Sequence, residues 1–113
     1  MEWIMSYSIE NGFFGLVRYL VKNGKVDICY NNNEALYLAV RYNRKKTTHL
    51  LIENGADVHS NVEEPLTLAA EMGHWEIAHM LLESGANMHI ASRNLVLEGH
   101  VDKMWKLVSL RSQ

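Results

Sequence analysis

Pro65-Leu66-Thr67-Leu68-Ala69-Ala70-Glu71-Met72-Gly73-His74-Trp75-Glu76-Ile77-Ala78-His79-Met80-Leu81-Leu82-Glu83-Ser84-Gly85 reads as two short helical patterns hinged at one glycine and closed by another. In the second half, Ile77, Ala78, Leu81 and Leu82 recur at helical spacing, while Glu76, His79 and Glu83 fall on the opposite face. The first half is built around small residues, Ala69 and Ala70, which let a neighbouring backbone approach. Gly73 suits a turn with positive φ, and Ser84-Gly85 suits a left-handed C-terminal cap.

The same pattern recurs along the chain. Gly24, Gly55 and Gly85 close the runs Leu20-Val21-Lys22-Asn23-Gly24, Leu51-Ile52-Glu53-Asn54-Gly55 and Leu81-Leu82-Glu83-Ser84-Gly85, at spacings of 31 and 30. Asp27, Asp57 and Asn87 are 30 apart, which places the one extra residue in Gly24-Lys25-Val26-Asp27. A second register agrees: Gly12, Asn43 and Gly73 stand 12 residues before the closing glycines, and Gly99 holds that place in a fourth copy. Two registers in step define a repeat, and a repeat decides the fold. The spacing predicts helix pairs 3–11 with 13–22, 34–42 with 44–53, 65–72 with 75–84, and 92–98 with 100–110.

Residues 64–87 resemble an ankyrin repeat, matching that family's Thr-Pro-Leu-His, Ala-Ala, Gly-His and Leu-Leu-x-x-Gly-Ala-Asp/Asn elements in order. Glu64 and Thr67 stand where the opening motif has threonine and histidine, and the second copy carries Ala35 for proline and Tyr37 for histidine. The resemblance covers nearly the whole chain, strongly over residues 33–91. It implies an all-α ankyrin-repeat solenoid of about four stacked helix-turn-helix units with short finger loops. The single domain 1–113 then divides into repeats near 1–31, 32–61, 62–91 and 92–113, the first and last being partial caps. Trp3, Ile4, Tyr7 and Ile9 are expected to supply bulk in the first cap, and Lys103, Lys106 and Arg111 a polar face in the last.

The family repeats at about 33 residues, whereas this chain repeats at 30. The shortage falls in Val58-His59-Ser60-Asn61-Val62-Glu63-Glu64, so the finger is expected to be short. Repeats of this length, rich in Asn and Gly, resemble those of large DNA viruses such as the mimivirus group.

In the family, the fingers and first helices contact a partner protein. Carried over by position, the finger candidates are Tyr30, Asn31, Asn32, His59, Asn61, Glu63, His89 and Arg93. The first-helix candidates are Tyr37, Arg41, Tyr42, Thr67, Glu71 and Met72. Tyr30, Tyr37, Arg41 and Tyr42 carry the most weight, because tyrosine and arginine join contact area to directional hydrogen bonding. For Tyr37 the competing reading is that it fills the place of the family's histidine. The viral resemblance implies an adaptor or decoy acting on a host protein, although no ubiquitin-recruiting module follows Gly99. The alternative to partner binding is a structural spacer or a self-associating subunit.

Other functions find little footing. The formal charge of −2 in 113 residues gives no field drawing the chain to nucleic acid. Arg41, Arg44, Lys45 and Lys46 form the one basic cluster, read mainly as a solvated turn, because nucleic-acid binders carry a broad basic stripe. No apolar run is long enough for a membrane span. Cys29 is the one cysteine, which excludes an internal disulfide and suits an intracellular, cytoplasmic setting. His49 with His79 and His59 with His89 are repeat equivalents, but two ligands fall short of a zinc site, so no metal or cofactor is expected. No Gly-x-Ser-x-Gly, phosphate loop or His-Glu-x-x-His is present. The expectation is a monomeric, non-enzymatic binding module.

Overall fold

The computed structural model describes residues 2–111, with the side chain of Arg111 outside that description. Among the described residues there are eight helices and no strand: α1 (Glu2–Glu10), α2 (Phe14–Lys22), α3 (Tyr30–Arg41), α4 (Lys45–Glu53), α5 (Ser60–Met72), α6 (Trp75–Glu83), α7 (Met88–Leu97) and α8 (Val101–Arg111). They form four helix pairs, and the chain divides into two compact units, one ending at Asp57 and the other beginning at Val58. No described helix is long and apolar enough to cross a membrane.

In the first unit α1 packs on α3 and α2 on α4, so like helices lie together. Met5, Ile9, Val17, Leu20, Val21, Ala35, Ala39, Leu50 and Leu51 form its buried core. Ala35 and Ala39 recur one turn apart, the small-residue face that admits a close neighbour. In the second unit α5 packs on α7, and α8 lies against both α5 and α6. Leu66, Ala69, Ala70, Ile77, Ala78, Leu81, Ala91, Leu95 and Leu107 are buried there. Glu76, His79 and Glu83 are exposed, as the periodicity required.

The hinges within the pairs behave as the repeat predicted. Gly12, Asn43, Gly73 and Gly99 all have positive φ, at 75°, 58°, 74° and 86°. Asparagine serves at position 43 because its short polar side chain tolerates the left-handed region better than other L-residues. Arg44, one residue on, donates from Nε to the Ile9 carbonyl (2.9 Å) and from Nη2 to the Glu10 carbonyl (2.5 Å). It thus caps the C-terminus of α1, where unpaired carbonyls and the negative end of the dipole favour a cation. This takes Arg44 out of the basic cluster as a free anion contact.

The finger is not a hairpin. Asn31, Asn32 and Asn33 have φ between 53° and 64°, and Asn61, Val62 and Glu63 have φ between 51° and 63°. Each set makes a left-handed turn that leads straight into the right-handed part of its helix. Repeat-equivalent side-chain bonds brace the two turns. Asn31 Nδ2 donates to Glu34 (2.5 Å) and Asn61 Nδ2 to Glu64 (3.1 Å). Three residues of such a turn replace the longer hairpin, which accounts for a 30-residue period.

The fourth copy differs. Asn87 is extended and its side chain accepts from the Ile90 N–H at 3.1 Å, an N-cap that starts α7 at Met88. The helix expected at 92–98 therefore begins four residues earlier and takes over the finger. His89 and Arg93 stand on a helix, not on a loop. At the other end, Trp3 and Tyr7 are exposed instead of filling the first cap, whose bulk comes from Met5 and Ile9.

The left-handed turns are unequally suited to their residues. Val62 is β-branched, 60% exposed and held at φ 57°, so it carries backbone strain without compensating burial. The Val62 carbonyl, by contrast, is used, accepting from Asn94 Nδ2 at 2.9 Å. Val62→Asn keeps that carbonyl and relieves the strain. It should raise unfolding stability by about 1 kcal/mol in a urea titration. A lower stability would show that the Val62 side chain, not the backbone, matters there.

Candidate functional site

The residues singled out from the sequence fall into separate groups. In the first unit, Tyr37, Arg41 and Tyr42 come together at the C-terminal end of α3. Arg41 is exposed, as is Tyr42, while Tyr37 is half-buried. Hydrogen bonding to the Tyr37 side chain, then to that of Tyr42, holds the Arg41 guanidinium above its ordinary value. The helical spacing i, i+4 brings Tyr37 to Arg41, so the cluster is a direct product of the α3 register. Tyr30 and Asn32 are exposed at the opposite end of α3, in and beside the left-handed turn.

In the second unit, His59, Glu63 and His89 line one open cleft together with the segment Gly85–Ile90, with a volume of about 520 Å³. His59 Nδ1 bonds a Glu63 carboxylate oxygen across the left-handed turn. Glu63 itself is only 3% exposed, and its Oε2 has no hydrogen-bond partner among the described residues. The repeat equivalent of Glu63 explains the contrast. Asn33 Nδ2 donates to the Asp57 carbonyl (3.2 Å), and Asn33 Oδ1 accepts from the Asp57 N–H (3.4 Å). An amide can both donate and accept, whereas an ionised carboxylate only accepts. Glu63 therefore cannot reproduce the bridge, and one of its oxygens is left over.

Thr67 is buried. Its hydroxyl donates to the Glu63 carbonyl (2.9 Å) and accepts from Asn94 Nδ2 (3.2 Å), so it is bonded within the packing of the repeat. Arg93 and Met72 are exposed, Arg93 one turn after His89 on α7. His49 and His79 each contact the glutamate four residues on, Glu53 and Glu83, at 2.9 Å.

One cluster escaped the sequence reading. Donor atoms of Glu71, Glu98 and His100 lie within 4.8 Å of one another, the one trio with such spacing among the described residues. His100 occupies the Gly-His position that also places Arg44, and the repeat register held that signal. Burial, then the adjacent Glu98 carboxyl and the charge of Glu64, push the Glu71 carboxyl up to about 7. Protonation of Glu71 relieves the repulsion between the two carboxyl groups.

Family comparison follows the same lines. A sequence model for ankyrin repeats, in three copies, matches residues 2–62, and one for a single ankyrin repeat matches residues 64–94. The chain belongs to the ankyrin-repeat family. Its fold class is the all-α ankyrin-repeat fold that the sequence implied. No curated protein matches the chain. Ankyrin repeats are generally protein–protein interaction modules and typically non-enzymatic.

The raised Glu71 carboxyl has a consequence for stability. A proton held more tightly in the folded protein stabilises it, fully below about 4.5 and progressively less as pH rises through about 7. Parent protein should therefore lose more stability between pH 4.5 and 8 than Glu71→Gln, measured by urea midpoints. The titrating groups outside the Glu71–Glu98 pair are common to both proteins and cancel. An identical loss in the two would show that Glu71 is not raised in the folded protein.

Proposed function

We propose that this chain acts as a monomeric protein–protein interaction module that binds its partner through the Tyr37, Arg41, Tyr42 cluster, with no cofactor and no chemistry of its own. The single observation supporting this is that three residues chosen from the sequence gather at the exposed C-terminal end of α3, where Tyr37 and then Tyr42 hold the Arg41 guanidinium above its ordinary value. Tyrosine has few side-chain torsions, so little rotamer freedom is lost on contact. Tyrosine and arginine in such a setting are the residue types of binding hot spots. Tyr30, Asn32, His59, Glu63, Glu71, Met72, His89 and Arg93 are secondary candidates. The short, asparagine-rich repeats support a host-cell protein as the partner, met in the cytoplasm, if the likeness to large-DNA-virus repeats extends to role.

A second reading, self-association, draws on exposed apolar side chains. Leu97 is 76% and Trp105 65% exposed, with Val101 between them in sequence. Concentration-dependent mass separates the two readings.

The test is affinity capture from candidate host lysate with the parent and a Tyr37→Ala, Arg41→Ala, Tyr42→Ala variant of intact helicity. A partner held by the parent should bind the variant at least about thirtyfold more weakly, the size of one hot spot. Equal capture by both proteins would move the contact elsewhere. No specific capture, together with a mass that grows with concentration, would favour self-association.

A further inference from the structure

The cleft beside the second left-handed turn departs from its own repeat pattern at one residue. At position 33 an asparagine closes the turn onto the Asp57 peptide in both directions. Thirty residues on, Glu63 faces the equivalent Asn87 segment with a carboxylate that cannot donate. One oxygen is held by His59. The other is buried without a partner among the described residues, a state that costs free energy unless something donates to it. The backbone here is also strained, with Val62 and Glu63 at positive φ where Asn32 and Asn33 are better tolerated. Strain and an unpartnered buried carboxyl oxygen in the same three residues are the local violations that accompany function more often than packing.

We propose that this cleft binds a lysine side chain of a partner protein, its ammonium donating to the Glu63 carboxylate. The inference rests on the reading of the chain as a partner-binding module. Three features favour lysine over other occupants. The group left over is an anion, so a cation complements it and another carboxylate is repelled. Arginine binds carboxylates best with two parallel hydrogen bonds to both oxygens, and His59 already holds one of them. An ammonium is a compact point charge that needs only one. The walls fit as well: Met88 and Ile90, both half-buried, flank the cleft and offer apolar surface to a four-carbon stem. The terminal torsion of a glutamate is soft, so the free oxygen can turn to meet a donor entering the cleft that Glu63 lines.

The repeat itself supplies a variant that keeps the fold. Glu63→Asn restores the residue found at position 33, with its two-way bridge and its tolerance of positive φ, while removing the charge. The probe is the capped peptide acetyl-Ala-Lys-Ala-amide, titrated into the ¹⁵N-labelled full chain at neutral pH and followed by amide shifts. The amides of Glu63 and of Asn87 to Ile90 should move and saturate. Affinity should exceed that of the norleucine and arginine analogues by about tenfold or more, the size of one charge-assisted hydrogen bond. Glu63→Asn should retain its helicity and bind the lysine peptide no better than the norleucine one. If it loses helicity, Glu63→Gln takes its place with the same expected result. Lysine binding no tighter than norleucine, or unchanged in the variant, would overturn the proposal. The peptide assay uses no partner protein, so contact through the α3 cluster can fail while the cleft still selects lysine, and the reverse.

Discussion

A backbone in the left-handed region is the constraint from which the rest follows. Every hinge within a helix pair, from Gly12 to Gly99, turns on one residue of positive φ. In two places the connection between pairs uses three such residues in a row, Asn31–Asn33 and Asn61–Glu63. L-residues resist this conformation by roughly 1–2 kcal/mol each, and asparagine resists it least among them. The turn persists because its neighbours over-determine it: Asn31 with Glu34, Asn61 with Glu64, and the Val62 carbonyl with Asn94. Ser6 joins the first of these, donating to Glu34 at 2.7 Å. Hydrogen bonds from Ser6 and then Asn31 hold the Glu34 carboxyl below its usual range.

The same constraint shapes what the chain offers to a partner. With a turn in place of a hairpin, the finger presents few side chains. The residue at its third position points to the following Gly-Ala-Asp/Asn segment. Where that residue is Asn33 the contact is closed and purely structural. Where it is Glu63 the contact is left incomplete, and a cleft with an unsatisfied carboxylate results. A single change within an otherwise repeated framework thus converts a structural bond into a chemical feature. Arg44 illustrates the opposite case, an apparent surface cation that the hinge geometry assigns to the end of α1.

Much of this was legible in the sequence. The two registers of glycine and asparagine placed all the hinges, and helical periodicity placed the faces of α6, because both depend on local backbone rules. The clustering of Tyr37 with Arg41 followed from i, i+4 spacing. What the sequence hid is of two kinds. The left-handed turn was visible only as a shortage of residues, since nothing in Asn61-Val62-Glu63 announces three positive φ values, and Val62 argues against them. The start of α7 was misjudged because Asn87 reads equally as a family consensus residue and as an N-cap, and only the structure shows its bond to Ile90. That moved His89 from finger to helix, onto the same helix as Arg93. Glu63 and Thr67 look like polar surface residues in one dimension, and burial is a property of tertiary packing. Glu71 lies one repeat before Glu98 and His100 in sequence, so their meeting required the register to be read across repeats.

The central claim is that left-handed turns replace the fingers and set the 30-residue period. The most direct measurement is the intraresidue amide–Hα NOE at Asn31, Asn32, Asn33, Asn61, Val62 and Glu63 in the labelled protein. Positive φ brings those two protons close, so all six should give NOEs as strong as a left-handed residue such as Asn43. Weak intraresidue NOEs accompanied by cross-strand contacts would instead show a small hairpin, and the account built on the turn would fall.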